Sequence, residues 1–225
     1  MIKGEKGIVL LKDKLKEMGA LAEQAVQRSL RAFSNRDGGL ASSAKEHDKA
    51  IDELEIEIDE LATDLLVTTG SAREVRLITV IMKIARNLER VGDEATTISR
   101  RVFELNQDQQ TQPSLNIPEI AGRATAMLRE ALEALVEGDS GRARALIPRD
   151  KEIDATNKQI HRDLTQHIMA APISAPRCLN LMVISKSIER IADHATNIAE
   201  DVVYLYEGRD IRHTGKGTVR LAEAP

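Results

Sequence analysis

The sequence predicts an all-α protein in which two tandem antiparallel three-helix bundles are related by internal duplication. Three observations predict this fold: the composition, an internal repeat and a heptad pattern of apolar residues. Aromatic residues are only 2% of the chain and Trp is absent, whereas β-sandwiches and barrels draw on aromatic and β-branched residues for their pleated faces. The chain instead relies on Leu, Ala, Glu, Arg and Lys, which favour helices, together with Ile.

The repeat pairs two long segments of the chain. Met82–Val102 reads MKIARNLERVGDEATTISRRV, and Met182–Val202 reads MVISKSIERIADHATNIAEDV. Nine positions are identical at an offset of 100 residues. Upstream, Asp48–Asp52 (DKAID) matches Asp150–Asp154 (DKEID) at an offset of 102 residues. Such self-similarity is the signature of a duplicated structural unit.

The boundary between the two units is marked by residues 107–118, which read QDQQTQPSLNIP. Polar side chains and prolines are typical of a linker. We therefore expect a first three-helix bundle at residues 1–106 and a second at residues 119–208. Residues 209–225 are polar and lack periodicity, and a flexible tail is expected there.

Each half is expected to contain three helices. Asp37 and Ser71 are suitable N-cap residues, and Ser71 with Glu74 fits a capping box. Pro148 lies inside the fifth segment and is expected to kink or interrupt it, because proline removes a helix hydrogen bond. The expected segments are Gly4–Ser34, Asp37–Thr69, Ser71–Glu104, Ile117–Glu137, Asp139–Ala170 and Ala175–Glu207.

The third and sixth helices carry apolar residues in steps that alternate between four and three. This heptad spacing predicts long helices that pack at a shallow angle within a bundle. The apolar positions are Leu77, Ile81, Ile84, Leu88, Val91, Ala95, Ile98 and Val102 in the third helix, and Leu181, Ile184, Ile188, Ile191, Ala195, Ile198, Val202 and Leu205 in the sixth.

The composition excludes several classes of protein. The single cysteine, Cys178, excludes an intrachain disulfide framework and suits a reducing compartment. No uncharged apolar run approaches the ~20 residues that a membrane-spanning helix needs, and the N-terminus does not read as a signal peptide. The net charge is −4 with both signs mixed, so no basic stripe indicates nucleic-acid binding. We expect a cytoplasmic protein that reaches the inner face of a membrane only through partners.

Acidic residues recur four positions apart on the second and third helices of each half. Residues at this spacing are neighbours on one helix face, and these pairs lie off the apolar seam, toward the outside of the bundle. Like charges at this spacing cost a few tenths of a kcal/mol per pair, yet four such pairs occur at equivalent places. Arg90 and Arg190 are expected to turn away from these faces. The candidate metal ligands are Asp48, Asp52, Glu89, Asp93, Asp150, Asp154, Glu189 and Asp193.

Facing carboxylates on adjacent helices form an all-oxygen site that suits Mg, Mn, Fe or Ca ions, with Zn less natural. The other interpretation is a solvated acidic face, which is what most exposed charge runs are. Di-iron bundle enzymes use Glu-x-x-His inside the core, whereas Gly92 and Ala192 stand three residues after the two glutamates. We therefore favour a metal-binding protein that is not an enzyme, with a carboxylate-bundle metal store or metalloenzyme as the alternative.

Two runs resemble the paired signature of the PhoU family. They are Asn87–Asp93 (NLERVGD) and Ile188–Asp201 (IERIADHATNIAED), and the resemblance continues through Val202–Gly208. It covers nearly the whole chain, including its length and its duplication. The doubled Glu-x-x-x-Asp at a spacing of 100 residues makes the signal specific.

The resemblance implies two three-helix bundles that bind multinuclear metal clusters on their carboxylate-bearing faces, with the eight carboxylates named above as ligands. It also implies a negative regulator of phosphate uptake and of phosphate-starvation signalling. Such a protein would link the ATPase of a phosphate ABC transporter to a membrane sensor histidine kinase, and a homodimer is the expected assembly.

The two halves differ after the shared motif. Arg100 and Arg101 in the first half correspond to Glu200 and Asp201 in the second. Because positive charge opposes cation binding, we expect the second site to be the stronger one. Further candidate ligands for that site are His194, Asn197 and Asp201.

Overall fold

The structure, a computed structural model, describes residues 4–37, 39, 44–107 and 115–212, with the side chains of residues 44–47 left out. No strand occurs within these ranges, which confirms the all-α prediction. Short 3-10 turns at Ile147–Arg149 and Pro172–Ser174 precede the last two helices. In chain order, the helices are α1 (Gly4–Asn35), α2 (Ala44–Thr68), α3 (Ala72–Asn106), α4 (Ile117–Glu137), α5 (Ser140–Leu146), α6 (Asp150–Ala170) and α7 (Ala175–Glu207).

The helices group into two bundles that lie side by side. In the first bundle α1, α2 and α3 pack on one another, and in the second α4 and the α5–α6 pair pack on α7. The bundles meet where α3 packs along α7 and α1 contacts α4, so one hydrophobic core runs through both. This arrangement confirms the predicted pair of three-helix bundles. The predicted linker and tail fall largely outside the described residues, at 108–114 and 213–225.

The predicted apolar seams form the core. Every seam position of the third and sixth helices is buried except Leu77 and Leu205, which are partly buried. The buried surface of α3 is wider than a heptad seam, because Val80 and Ala85 are also buried. Since α3 contacts α7 as well as its own bundle, it buries more than one face.

The helix ends agree only in part with the sequence. Pro148 interrupts the fifth segment as predicted, since α5 ends at Leu146 and a 3-10 turn separates it from α6. The predicted capping box at Ser71 is wrong: Ser71 makes no side-chain cap hydrogen bond. Glu74 instead accepts a hydrogen bond of 2.5 Å from the hydroxyl of Thr69. The side chain of Asp37 accepts a hydrogen bond from a backbone N–H, and the start of the second helix before residue 44 lies outside the described residues.

Candidate functional site

The four carboxylates predicted in the second half meet between α6 and α7. Asp150 and Asp154 lie one turn apart on α6, and Glu189 and Asp193 lie one turn apart on α7. The side chains of Asp154 and Glu189 are in hydrogen-bonding contact, and Asp150 interacts electrostatically with the other three carboxylates. The Glu189 side chain is only 13% exposed. We call these four residues the second groove.

The second groove holds more negative charge than its surroundings neutralise. Burial raises the pKa of Asp150 to about 6, and the negative charges of the other three carboxylates add to the rise. Burial also raises the pKa of Glu189, with Lys186 opposing the shift and Asp154 adding to it. Oδ1 of Asp150 is buried and accepts no hydrogen bond from the described part of the chain. A buried carboxylate oxygen without a donor is unfavourable, and a hard cation with oxygen ligands fits this need.

The equivalent residues of the first half also come together. Asp48 and Asp52 on α2 face Glu89 and Asp93 on α3, and we call these four residues the first groove. Burial raises the pKa of Asp52, and the charges of Asp48 and Asp93 add to it. Burial and then Asp93 raise the pKa of Glu89. The hydroxyl of Thr96 donates a hydrogen bond of 3.2 Å to Asp48 Oδ1. The two grooves therefore have the same arrangement of four carboxylates on two neighbouring helices.

The arginines that follow the two glutamates behave differently from each other. The prediction that Arg90 turns away is wrong: its Nε lies 3.3 Å from Glu89 Oε2, and its Nη1 donates to Asp93 Oδ2 at 3.3 Å. Arg190 does turn away from its own motif, because its Nη1 donates to Glu94 Oε1 at 2.9 Å on α3. The first groove is therefore partly neutralised by a side chain that the second groove lacks.

Neither groove is preshaped around an ion. Across the described residues, no group of three or more His, Cys, Asp or Glu side chains is arranged to hold a metal ion. Carboxylates without a cation between them repel one another. The side chains of either groove would therefore have to close around an ion as it binds.

Of the three further candidates, one lies against the second groove. Asn197 Nδ2 donates to Asp193 Oδ2 at 3.4 Å. The ring of His194 lies toward α3, with Nδ1 3.0 Å from Asn87 Oδ1, and burial lowers its pKa. Asp201 is 4% exposed and lies 3.9 Å from Lys83 Nζ on α3. The contacts of His194 and Asp201 with α3 place both at the interface between the bundles.

Sequence reasoning missed Lys186, whose Nζ lies 2.5 Å from Glu189 Oε2. The signal was available, because residues three apart on a helix are neighbours, and Arg90 stands three residues before Asp93 in the same way. The contact between Arg190 and Glu94 has no such local signal, since it joins residues that are 96 positions apart.

Comparison with known proteins identifies the duplicated unit. The family model described as PhoU domain matches residues 15–102 and again residues 117–202. The Pseudomonas aeruginosa protein described as phosphate-specific transport system accessory protein PhoU homolog is 36% identical over 200 residues, which are 88% of this chain and 83% of that protein. The Escherichia coli K12 protein of the same description, without the word homolog, is 35% identical over 200 residues, with the same coverage of 88% and 83%.

Solved structures agree with this comparison. The crystal structure of PhoU from Pseudomonas aeruginosa superposes with a TM-score of 0.89 at 33% identity, covering 92% of this chain and all of that one. The phosphate transport system regulatory protein PhoU from Streptococcus pneumoniae gives a TM-score of 0.86 at 22% identity, covering 93% and 99%, and supports the fold alone. Within the described ranges, no helix has the length and apolar character needed to span a membrane.

Proposed function

Since the chain belongs to the PhoU family, we propose that it is a metal-binding regulatory adaptor, a negative regulator of phosphate uptake and of phosphate-starvation signalling. Its partners would be the ATPase of a phosphate ABC transporter and a membrane sensor histidine kinase. Relatives described as accessory proteins of a phosphate-specific transport system support the transporter part of this proposal. That description, accessory protein, favours a protein that is not an enzyme.

The metal part of the proposal is carried by one observation: the buried Oδ1 of Asp150 accepts no hydrogen bond from the described residues, and the three carboxylates around it have no hydrogen to donate when ionised. Asp150, Asp154, Glu189 and Asp193 would hold the ion, and Asn197 would orient Asp193 through its hydrogen bond. Oxygen ligands of this kind suit Mg, Mn or Fe ions, and Zn less well. A bound cation would supply the positive charge that these carboxylates lack.

The adaptor would act by binding one state of a partner more tightly than another, because a ligand shifts an equilibrium only by its differential affinity. The carboxylate grooves lie between α2 and α3 and between α6 and α7, and Asp93 and Asp193 are exposed there, so a change in charge would alter the surface offered to a partner. We propose a cytoplasmic location, with transporter and kinase bringing the protein to the inner face of the membrane, and a homodimer as its assembly.

The first test is the metal content of protein purified without chelator, measured by elemental analysis. The variant Asp150→Asn/Asp193→Asn removes two charges from the second groove. The matched control is Asp163→Asn, because Asp163 is exposed on α6 and accepts a hydrogen bond of 2.7 Å from Gln159 Nε2, away from the groove residues. Wild type and control should carry equal amounts of metal, and the groove variant should carry much less. Equal metal content in all three proteins would place the metal elsewhere.

The regulatory part is tested separately in cells that lack this protein. A reporter of phosphate-starvation genes should be active in phosphate-rich medium, and the wild-type protein should repress it. Immobilised protein should retain the transporter ATPase and the kinase from defined, purified preparations. If the reporter does not respond to the protein and neither partner is retained, the adaptor proposal fails even when metal is bound.

A further inference from the structure

The duplicated helices α3 and α7 carry the same arginine but different residues one turn later. Arg90 and Arg190 are equivalent at the offset of 100 residues, whereas Glu94 corresponds to His194. All four residues line one 580 Å³ cleft where α3 meets α7. The difference between Glu94 and His194 therefore lies within reach of both arginines.

Glu94 holds Arg190 across the interface between the bundles. Arg190 Nη1 donates to Glu94 Oε1 at 2.9 Å, and the Glu94 side chain is 12% exposed. An arginine bound to a shielded carboxylate in this way makes a charge-assisted hydrogen bond, which is stronger than one between neutral groups. The guanidinium of Arg190 is thereby directed to α3 and away from its own motif.

Arg90 has no corresponding carboxylate on α7. Where symmetry would place one, His194 presents an imidazole whose Nδ1 lies 3.0 Å from Asn87 Oδ1. Arg90 turns back along its own helix and pairs with both Glu89 and Asp93. The equivalent arginines therefore point in different directions: Arg90 toward its own groove and Arg190 toward the neighbouring bundle.

Each groove also has basic side chains besides the motif arginine. Arg86 and Lys186 are equivalent, and each lies near the glutamate three residues later, at 3.9 Å from Glu89 Oε2 and 2.5 Å from Glu189 Oε2. Arg86 also donates to Glu55 Oε1 at 3.1 Å, and Lys158 Nζ lies 3.9 Å from Asp154 Oδ2 in the second groove. The motif arginine is what changes place: Arg90 pairs with Glu89 and Asp93, whereas Arg190 donates to Glu94.

We infer that the pair Glu94 and His194 decides in which groove the motif arginine competes with a metal ion: Glu94 withdraws Arg190 from the second groove, whereas His194 leaves Arg90 in the first groove as a built-in competitor of the cation. The inference rests on the proposed metal-binding function and adds the residues that control it. A metal ion entering the first groove has to displace Arg90, whereas an ion entering the second meets Lys186 and Lys158 but not the motif arginine.

The test measures Mn²⁺ binding by equilibrium dialysis and titration calorimetry, one groove at a time. The double variant Asp150→Asn/Glu189→Gln removes two proposed metal ligands from the second groove and so silences it for metal binding. Asp48→Asn/Glu89→Gln does the same to the first groove. With the second groove silenced, Arg90→Gln should tighten Mn²⁺ binding about tenfold, the scale of residues that act on metal ligands without binding the metal. His194→Glu should act in the same direction by offering Arg90 a carboxylate on α7.

With the first groove silenced, Glu94→Gln should weaken Mn²⁺ binding about tenfold by releasing Arg190 toward Glu189 and Asp193. Adding Arg190→Gln to Glu94→Gln should restore the affinity, and this rescue separates competition from a loss of folding. Arg190→Gln alone should leave the affinity nearly unchanged.

The two proposals fail in different ways. If wild type binds Mn²⁺ but neither Arg90→Gln nor His194→Glu changes the first groove, and Glu94→Gln does not change the second, the inference is overturned and the metal function stands. If no protein in the series binds Mn²⁺ in either groove, both are overturned.

Discussion

Replacing Asp150 with Asn is expected to stabilise the metal-free protein at neutral pH. The ionised Asp150 carboxylate is partly buried beside three other carboxylates, and its Oδ1 has no hydrogen-bond donor among the residues that the structure describes. Asn keeps the shape of the side chain and removes the charge. The same substitution removes a proposed metal ligand, so it should stabilise the protein without metal and weaken its response to metal.

The magnitude follows from the pKa of Asp150, which rises from its usual 3.8 to about 6. One pKa unit corresponds to about 1.4 kcal/mol, so the shift sets an upper bound of roughly 3 kcal/mol. Asp150 is only partly buried, and solvent screening reduces the expected gain to about 1 kcal/mol. In a chain of this size, that gain raises the melting temperature by about 2–4 °C.

The sign of the pH dependence follows from the same shift. Because the folded pKa of Asp150 is raised, the native state binds more protons than the unfolded state between the usual pKa of 3.8 and about 6. Stability contributed by this group falls as pH rises through that window, and the penalty is complete above it. The difference between Asp150→Asn and wild type should therefore be small near the lower end of the window and full at neutral pH.

The assay is urea and thermal unfolding in chelator at about pH 4.5 and about pH 7.5, across the window set by the shift, and again with Mn²⁺. Asp48→Asn is the matched control, because Asp48 is the equivalent residue of the first groove and its Oδ1 accepts a hydrogen bond from Thr96. Mn²⁺ should raise the stability of wild type more than that of Asp150→Asn, since binding to the native state stabilises it. A variant that is less stable than wild type in chelator at neutral pH would refute the electrostatic reasoning.

Three further changes test the fold. Gly208→Ala should lower the unfolding free energy by about 1 kcal/mol, because Gly208 ends α7 with φ +68°; Gly122→Ala, with open space at its Cβ, is the control in urea unfolding. Ser185→Ala should cost about 1–3 kcal/mol by the same measurement, since it leaves the buried Asn157 Oδ1 without its 2.6 Å donor. Burial raises the pKa of Asp201, although the positive charges of Lys83 and Arg212 oppose the rise. Ionisation of Asp201 therefore lowers the stability of the native state as pH rises. Asp201→Asn should remove this fall in stability, and an unchanged pH profile of unfolding would contradict the reasoning.

Local patterns in the sequence were sufficient for the helices and for the membership of both grooves. The heptad steps identified Ile84 and Ile188 as core residues, and both are fully buried. The four-residue spacing identified the acidic pairs, because residues one turn apart share a face whatever the tertiary structure. The interruption at Pro148 followed from backbone chemistry in the same way.

Features that depend on packing between distant helices were not readable from these patterns. Val80 and Ala85 lie outside the heptad and are buried because α3 also meets α7. The capping box at Ser71 failed because Thr69 offers Glu74 a hydroxyl, a competition between equally local partners. Arg90 was placed wrongly because its orientation depends on what α7 presents at residue 194, and helix position alone does not contain that information.

The two grooves have carboxylates at equivalent positions but differ in the source of their positive charge. In the first groove the guanidinium of Arg90 belongs to the chain, so its charge is present at every metal concentration. In the second groove Glu94 retains Arg190, so the positive charge comes from Lys186, Lys158 and whatever binds from solution. If the two acidic faces differ in metal affinity, as proposed above, a bound ion changes the surface offered to one partner more than the surface offered to another. The adaptor proposed above would need this property, because coupling requires that a ligand affect the two partner contacts differently.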